Sequence, residues 1–317
     1  MNTVGCKYSF HIYHHVKGGA VMRRSVAFPL SIFSLIMSLY LAVPVSAMDY
    51  IIGAKGGYFV WEPFFKDIYH QDVKNGTGAL FGPIFGIAFT PDLTVSVSGL
   101  FGEQSSHWDQ GNSYRPERQR YESGTSYMEA FRYDIDTALS YRVLTPLRVF
   151  IGYKYQRLDY SLIQSDRKVY DSDPTNIRSS SDEMIIDVER HGPALGFNVT
   201  MPLTRSFFFS MTFSGLYSVG TFEFEERSRI YESTTAQEAQ FGTEEPVRTF
   251  SFDVREYGIN LEPVLGVQVE SVIINLGLRY QYIKSKIRNT NAPDDVDLPD
   301  WMDDRLYGVF MSVMFVL

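Results

Sequence analysis

The residues best suited to chemistry are ionisable groups that alternate along one segment. Asp134 and Asp136 flank Ile135, and two carboxylates on one face could activate a water molecule if a histidine stood beside them. Cations surround this pair in the sequence, and carboxylates beside cations in a narrow interior are stabilised as ion pairs. We therefore predict one paired charge cluster, with these members: Arg132, Asp134, Asp136, Arg142, Arg148 and Lys154.

Histidine and cysteine are too scarce to complete a catalytic or metal site. Beyond residue 47 the chain has only His70, His107 and His191, and their wide spacing is unlike that of a set of metal ligands. The single cysteine, Cys6, comes earlier, so the rest of the chain has neither a thiol nor a disulfide. We expect no catalytic site, no cofactor and no metal, and we predict that the chain is not an enzyme.

The balance of charge excludes one class of partner. The chain has 29 Lys and Arg residues against 37 Asp and Glu residues, for a formal net charge of −8. A protein that binds nucleic acid needs a basic surface to neutralise phosphates. We therefore expect no nucleic-acid partner.

The N-terminal region has the three-part layout of an export signal. Basic residues at Met22-Arg23-Arg24 precede an apolar stretch at about 28–45, and small residues end it at Val45-Ser46-Ala47. We predict a signal peptide within 1–47, and translation starting at Met22 is a hypothesis because 1–21 fits a signal poorly. The alternative is an N-terminal membrane anchor of about 18 residues, near the minimum span. The remaining domain is 48–317.

That domain has no long apolar helix and repeats a two-residue alternation instead. In 129–142, Phe131 and Tyr133 share one face, while Arg132 and Asp134 share the other. The same pattern recurs at 147–156, 207–217, 272–282 and 307–317. A soluble sandwich would bury the apolar face against a second sheet, whereas a membrane barrel turns it to lipid and keeps the polar face in the lumen.

The connections between these segments alternate between short and long. The short ones are at 90–93, 144–147, 201–204 and 269–272, and the long polar ones are at about 62–77, 103–127, 159–183, 222–248 and 285–304. Tight turns on one side and long loops on the other are typical of a transmembrane barrel. The fold prediction is all-β: a single transmembrane antiparallel up-and-down β-barrel, with ten strands at about 50–61, 78–90, 94–103, 128–142, 147–158, 184–201, 205–221, 249–269, 271–284 and 305–317.

Three strands share a Pro-x-x-Gly pattern beginning at Pro83, Pro193 and Pro263. A proline in a strand removes one ladder hydrogen bond, so we predict a bulge or bend at each of the three positions. The pattern places the glycines on the lumen face, where a missing side chain relieves crowding.

These features resemble the bacterial outer-membrane β-barrel family over essentially all of 48–317. The alternating terminal strand that ends in Phe315 and Leu317 resembles the segment that the barrel-assembly machinery reads, although the family usually ends in Phe. The resemblance implies the outer membrane of a Gram-negative cell. It also implies contact with outer-membrane lipid and lipopolysaccharide, and with the barrel-assembly machinery through the C-terminal strand.

Ten strands is also the number found in the omptins, a family of outer-membrane proteases. That family uses an acidic pair on one rim and an Asp/His pair on the opposite rim. Here Asp134 and Asp136 offer an acidic pair and His107 lies near Asp109, but the fourth long loop, 222–248, contains no histidine. His191, with Asp187 and Glu189, is a weak substitute, so the omptin catalytic pattern is missing.

Three functions therefore stay open. The first is a binding or structural envelope protein with a narrow charged lumen and long extracellular loops. The second is a porin-like channel for small solutes, and the third is an omptin-like protease. We favour the first, because lumen-facing charges, which include Arg279 as well as the predicted cluster, should narrow a ten-strand barrel that is only slightly wider than a filled eight-strand one.

Overall fold

The computed structural model describes residues 48–66, 73–115, 120–170, 173–233, 241–244, 246–292 and 298–317. The predicted signal peptide, 1–47, lies outside the described residues. The strands are β1 Asp49–Glu62, β2 Gly76–Ala88, β3 Leu93–Arg115, β4 Arg120–Leu144, β5 Leu147–Tyr170, β6 Asp173–Pro202, β7 Phe207–Ser233, β8 Phe241–Glu244, β9 Arg248–Val269, β10 Val272–Thr290 and β11 Trp301–Val316. Among the described residues, no helix is long and apolar enough to cross a membrane.

Ten of these strands close into a ring. Each pairs antiparallel with the next, β7 pairs with β9, and β11 closes the ring against β1, with Tyr58 opposite Val309. The short β8 pairs with the far end of β7 and lies outside the ring. The predicted all-β, up-and-down, ten-strand barrel is confirmed.

The lower half of the wall is apolar outside and polar inside. On β5, Ile151 is exposed on the outside, while Lys154 and Gln156 face inward and are buried. On β4, the outward Tyr133 and Tyr141 mark the edges of the apolar band. Eight residues at about 3.4 Å each give about 27 Å along a tilted strand, which suits the hydrocarbon layer.

Above the upper tyrosines the polarity of the wall reverses. Phe222 and Phe224 on β7 face inward and are buried, whereas Glu223 between them is exposed. We call this part of the wall the collar. It is formed by the outer parts of β3, β4, β5, β6, β7 and β9. With water outside instead of lipid, the apolar side chains must face the interior, as in a soluble barrel.

The prediction of long loops is wrong where the collar strands extend into them. Most of 103–127 and 159–183 is strand, because β3 reaches Arg115 and β5 reaches Tyr170. β7 likewise continues to Ser233, inside the predicted loop 222–248. The alternation continues through these segments with its faces exchanged. A search for apolar residues on the lipid-facing positions therefore misses it.

The register shows no bulge at the three prolines, with Pro263 opposite Met211, while a bend at these positions stays a prediction. Pro83 lies opposite Ala54 without a register shift, and Pro193 lies opposite Tyr153 in the same way. Pairing is interrupted only on the other side of each proline, and the register resumes unchanged beyond it. A proline removes one N–H, which points to one neighbouring strand only, so the other ladder stays intact.

The position of the lipid boundary can be tested with one substitution at two heights on β5. Ile151 and Ile163 both face outward, but Ile163 lies in the collar. Ile151→Arg should lower the free energy of unfolding by roughly 2–4 kcal/mol, because it places a charge in hydrocarbon. Ile163→Arg should change it by less than about 0.5 kcal/mol. Urea unfolding of the refolded barrel in lipid measures both, and equal costs would contradict the boundary.

Candidate functional site in the barrel lumen

A layer of ionised side chains crosses the lumen inside the upper part of the apolar band. We call it the charge belt. Its five cations balance its five carboxylates, and the members are Lys55, Arg132, Lys154, Arg190, Arg279, Asp134, Asp136, Glu256, Glu262 and Asp304. Ion pairing on this scale is how a buried layer can hold so many charges.

The larger part of the belt is centred on Asp134. Arg132 donates to Asp134 from Nε at 2.9 Å, and Lys154 lies 2.7 Å from Asp136. Arg279, on the opposite wall, lies 3.7 Å from each of these two carboxylates. It also lies 3.5 Å from Glu262, which accepts a hydrogen bond from Lys55 at 2.9 Å. The network therefore spans the lumen from β4 to β9 and β1.

The second part of the belt is centred on Arg190. Its guanidinium pairs with Glu256 at 3.2 Å and with Asp304, which lies on the opposite wall. Trp61 donates from Nε1 to Asp304 at 2.7 Å, and Ser218 and Ser285 donate to Glu256 at 2.6 and 2.8 Å. Each carboxylate thus has a cation and a neutral donor, which suits a desolvated anion.

The structure brings together four of the six residues predicted as one cluster. Arg132, Asp134, Asp136 and Lys154 are in the belt, whereas Arg142 and Arg148 lie near the short turns. Arg142 is 3.7 Å from Asp92, and Arg148 donates to Thr94 at 3.2 Å. Arg142 is six residues below Asp136 on the same strand, about 20 Å away along it, which is too far for an ion pair.

Sequence reasoning missed half of the belt. Lys55, Arg190, Glu256, Glu262 and Asp304 were not singled out. Each is a charge on the inward face of a strand, and that register is a signal that could have found them. Their partners could not have been found in the same way, because Lys55 and Glu262 lie on strands that are not neighbours.

An apolar core fills the lumen above the belt. Phe64 and Phe65, from the connection after β1, enter the lumen and are almost completely buried. Their rings lie 4.7 Å from Phe222 and 4.3 Å from Tyr160, respectively, measured between centroids. Stacked pairs from β7 and β9 continue this layer, including Phe222 with Phe252 at 5.1 Å. The lumen is therefore filled twice, by the ionised side chains of the charge belt and by the apolar core above them.

Below the belt the lumen is more open. Asp136 keeps 40% of its side-chain exposure, against 1% for Asp134. Hydroxyl and amide groups line this region, and Asn198 donates to Ser210 and Thr212 at 2.8 Å. Gly266 is opposite Phe208, where an added Cβ would come within 2.1 Å of the ring. The glycine thus leaves room for the aromatic side chain inside the barrel.

The histidines and the acidic pair are not assembled into a catalytic group. Asp134 and Asp136 lie in the belt and not at a rim, and His107, which is 3.9 Å from Asp109, is exposed on the outer wall. His191 also faces outward and stacks on Tyr153 at 6.1 Å. His70 lies outside the described residues. No group of three or more His, Cys, Asp or Glu among the described residues could hold a metal ion.

The outer wall of the collar is acidic on the side of β5, β6 and β7. Asp187 is opposite Asp159 on one side and Glu223 on the other. Burial and the neighbouring carboxylate of Asp159 raise the pKa of Asp187 to about 6. Burial and Glu129 raise the pKa of Glu103 on β3 in the same way.

The closed ring, the outward apolar band and its tyrosine borders define the class of protein. A ring without free edges satisfies every ladder within hydrocarbon, and the short turns lie at the same end as the first and last strands. The chain is a membrane-spanning β-barrel with a filled lumen, the architecture found in bacterial outer membranes.

Comparisons with known proteins find only distant structural similarity. No family model matches the sequence, and no curated protein matches it. Among solved structures, the outer membrane protease OmpT from Escherichia coli is similar with a TM-score of 0.43 and 9% identity, covering 86% of this chain and 97% of that one. The outer membrane protein OprG from Pseudomonas aeruginosa has a TM-score of 0.30 and 14% identity, and the match covers 85% of this chain and 96% of that one. A major outer membrane protein from Thermus thermophilus has a TM-score of 0.28 and 11% identity, and the match covers 86% of this chain and 100% of that one.

Proposed function

We propose that this barrel is a non-conducting, non-enzymatic binding or structural protein of the cell envelope, and that it acts through its collar. One observation carries the proposal: side chains from opposite walls bond to each other across the lumen. Arg279 on β10 reaches Asp134 on β4, and Arg190 on β6 reaches Asp304 on β11. A pore needs a continuous wet path, and these pairs occupy it.

The collar supports the second half of the proposal. Its strands continue 13 residues beyond Tyr133 on β4 and 13 residues beyond the opposite Arg157 on β5, or roughly 44 Å along the strands. Anchoring in the membrane does not require this length of ordered wall. A rigid, polar surface held outside the cell is suited to contacts with other molecules.

A small-solute channel is the main alternative, and a protease is the next. The open lower lumen and the exposure of Asp136 fit either a closed or a gated channel. A protease would need a polarised water near a carboxylate, whereas Asp134 is surrounded by Arg132, Lys154 and Arg279. These contacts favour a structural role for the pair.

Single-channel recording in a planar bilayer tests the proposal. We expect no stable current steps from the refolded full-length protein, with a wide porin recorded in the same bilayer as the positive control. Co-floatation with vesicles establishes that the silent protein has inserted. Large, stable, non-selective current would overturn the proposal in favour of the channel, and hydrolysis of an added peptide library would favour the protease.

A further inference from the structure

The lumen below the charge belt is a recess that is closed at one end. Arg279, Asp134 and Asp136 meet across the lumen and form its end wall. Lys154, in the same wall, is six residues above Arg148 on β5, or roughly 20 Å along the strand. Asp136 faces inward but keeps 40% of its side-chain exposure, so solvent reaches the end wall from the side of the short turns. A recess that is closed in this way can hold a ligand without conducting it.

One wall of the recess is aliphatic. The inward residues of β10, β11, β1 and β2 include Ile273, Met314, Ile51 and Ile84, and each of them is half-buried. Met314 is directly opposite Ile273 on one side and Gly53 on the other, and Gly53 is opposite Ile84. Because directly opposite residues share a face of the sheet, these side chains form one continuous surface.

An aliphatic inner surface is unusual in a membrane barrel whose lumen is open to water. The outward neighbours Ile52 and Ile274 already supply the lipid contacts of β1 and β10, and the inner face of such strands is normally polar. Ile51 and Ile273 therefore present apolar surface to water inside the recess. This exposure is unfavourable unless another apolar group covers it.

The opposite wall carries hydroxyl and amide groups. Its half-buried inward residues come from β3, β4, β6 and β7 and are Ser96, Ser98, Ser140, Asn198, Thr200, Ser210 and Thr212. Several of these groups bond to each other, since Asn198 donates to Ser210 and Thr212 and accepts from Thr200, each at 2.8 Å. A ligand therefore need not supply hydrogen bonds on this side.

A positive charge lies at the mouth of the recess, beside the short turns. Arg142 and Arg148 are directly opposite each other on β4 and β5. Asp92 lies 3.7 Å from Arg142, whereas Arg148 has no carboxylate within ion-pair distance in the described chain and donates to neutral oxygens, including Thr94 at 3.2 Å. Asp49, on β1, is exposed and forms no ion pair among the described residues. Arg148 is thus available to an anion that enters the mouth.

These features select the chemistry of a ligand. Isoleucine and methionine side chains offer no flat aromatic face for a sugar ring, and they match a flexible hydrocarbon chain. A ten-strand barrel is only slightly wider than a filled eight-strand one, so the space suits one chain. The planar guanidinium of Arg148 favours a carboxylate, which can accept two of its N–H groups at once. An apolar lining with a few polar groups is the usual composition of a small-molecule site.

We propose that the lower lumen binds one single-chain anionic amphiphile, of the long-chain carboxylate type. Its hydrocarbon chain lies against Ile51, Ile84, Ile273 and Met314, and its carboxylate is held by Arg148 at the mouth. The site uses the charge belt only as its end wall and is independent of any role for the collar.

Photo-crosslinking of diazirine-labelled dodecanoate to the refolded full-length protein in phosphatidylcholine nanodiscs tests the site. We expect mass spectrometry to locate the label on the inward Ile51, Ile273 and Met314 in preference to the outward Ile52 and Ile274. Excess unlabelled dodecanoate should remove the inward label, whereas dodecyltrimethylammonium, which has the same chain and a cationic head, should not. Equal labelling of the two faces, or equal competition by the cationic amphiphile, would overturn the proposal.

Two matched pairs of variants separate the head group from the chain. Arg148→Gln should weaken the binding of radiolabelled dodecanoate to the nanodiscs by about tenfold or more, because it removes a charged hydrogen-bond donor. Arg205→Gln, in an exposed turn at the same end, should bind like the wild type. Met314→Gln should also weaken binding, whereas Met311→Gln, on the lipid-facing side of β11, should not. Wild-type affinity in both Arg148→Gln and Met314→Gln would overturn the site, and the absence of current through the barrel would be unaffected by that result.

Discussion

Asp134→Asn should lower the free energy of unfolding of the barrel by about 3–5 kcal/mol, the usual cost of removing one partner from a buried ion pair. Asp134 is 1% exposed and lies within 4 Å of three cations, with Arg132 at 2.9 Å, Arg279 at 3.7 Å and Lys154 at 3.8 Å. The amide keeps the shape of the side chain and removes its charge. The three cations would then share one fewer anion in a space that water barely reaches.

Asp92→Asn is the matched control for this variant. Asp92 also pairs with an arginine, Arg142, at 3.7 Å, but its side chain is 52% exposed in a short turn. An exposed pair of this kind is worth less than about 1 kcal/mol. Urea unfolding in lipid vesicles compares the two variants with the wild type. Similar costs for Asp92→Asn and Asp134→Asn would mean that water fills the lumen at the height of the belt.

The strands of the lower barrel could be predicted because their pattern is local. The alternation of Phe131 and Tyr133 with Arg132 and Asp134 assigns each side chain to a face without any knowledge of neighbouring strands. Four tight turns then set which strands are adjacent. Both pieces of information lie within about 20 residues of chain, which is why the ring of ten strands could be predicted from the sequence.

The belt and the collar depend on information that is not local. Which inward charges meet across the lumen is set by the stagger of the strands around the ring, and no pattern near Lys55 identifies Glu262 as its partner. In the collar, Phe222 and Phe224 alternate with Glu223 and Glu225 as clearly as any lipid-facing strand does. The solvent beyond the wall decides which face is inside, and that solvent changes at the membrane boundary.

No pattern in the sequence indicates that the connection after β1 enters the lumen. Phe64 and Phe65 follow Pro63 in a short non-repetitive segment, where adjacent aromatic residues indicate neither strand nor helix. Only the barrel itself reveals their destination, because Trp61 and Tyr160 present ring faces and edges to Phe65 inside the lumen.

Phe65→Ala should therefore be as damaging as a substitution in the centre of a globular core. The side chain is completely buried, with its ring centroid 4.3 Å from Tyr160, 5.5 Å from Phe64 and 5.8 Å from Trp61. Truncating a buried Phe costs about 3–5 kcal/mol, since the surrounding wall cannot collapse into the space that remains. In a closed ring the neighbouring strands are held at fixed spacing, so relaxation should be smaller than in a helical core.

Tyr127→Ala provides the comparison. Tyr127 is an aromatic residue on the outer face of the collar and is 40% exposed, so its loss removes less buried surface and creates no cavity. Urea unfolding should show a cost for Phe65→Ala at least twice that for Tyr127→Ala. Cleavage by trypsin after Lys66 should also become faster in the Phe65 variant alone, because Phe65 anchors that residue to the lumen. If both variants unfold alike and resist trypsin alike, then Phe65 does not pack inside the barrel.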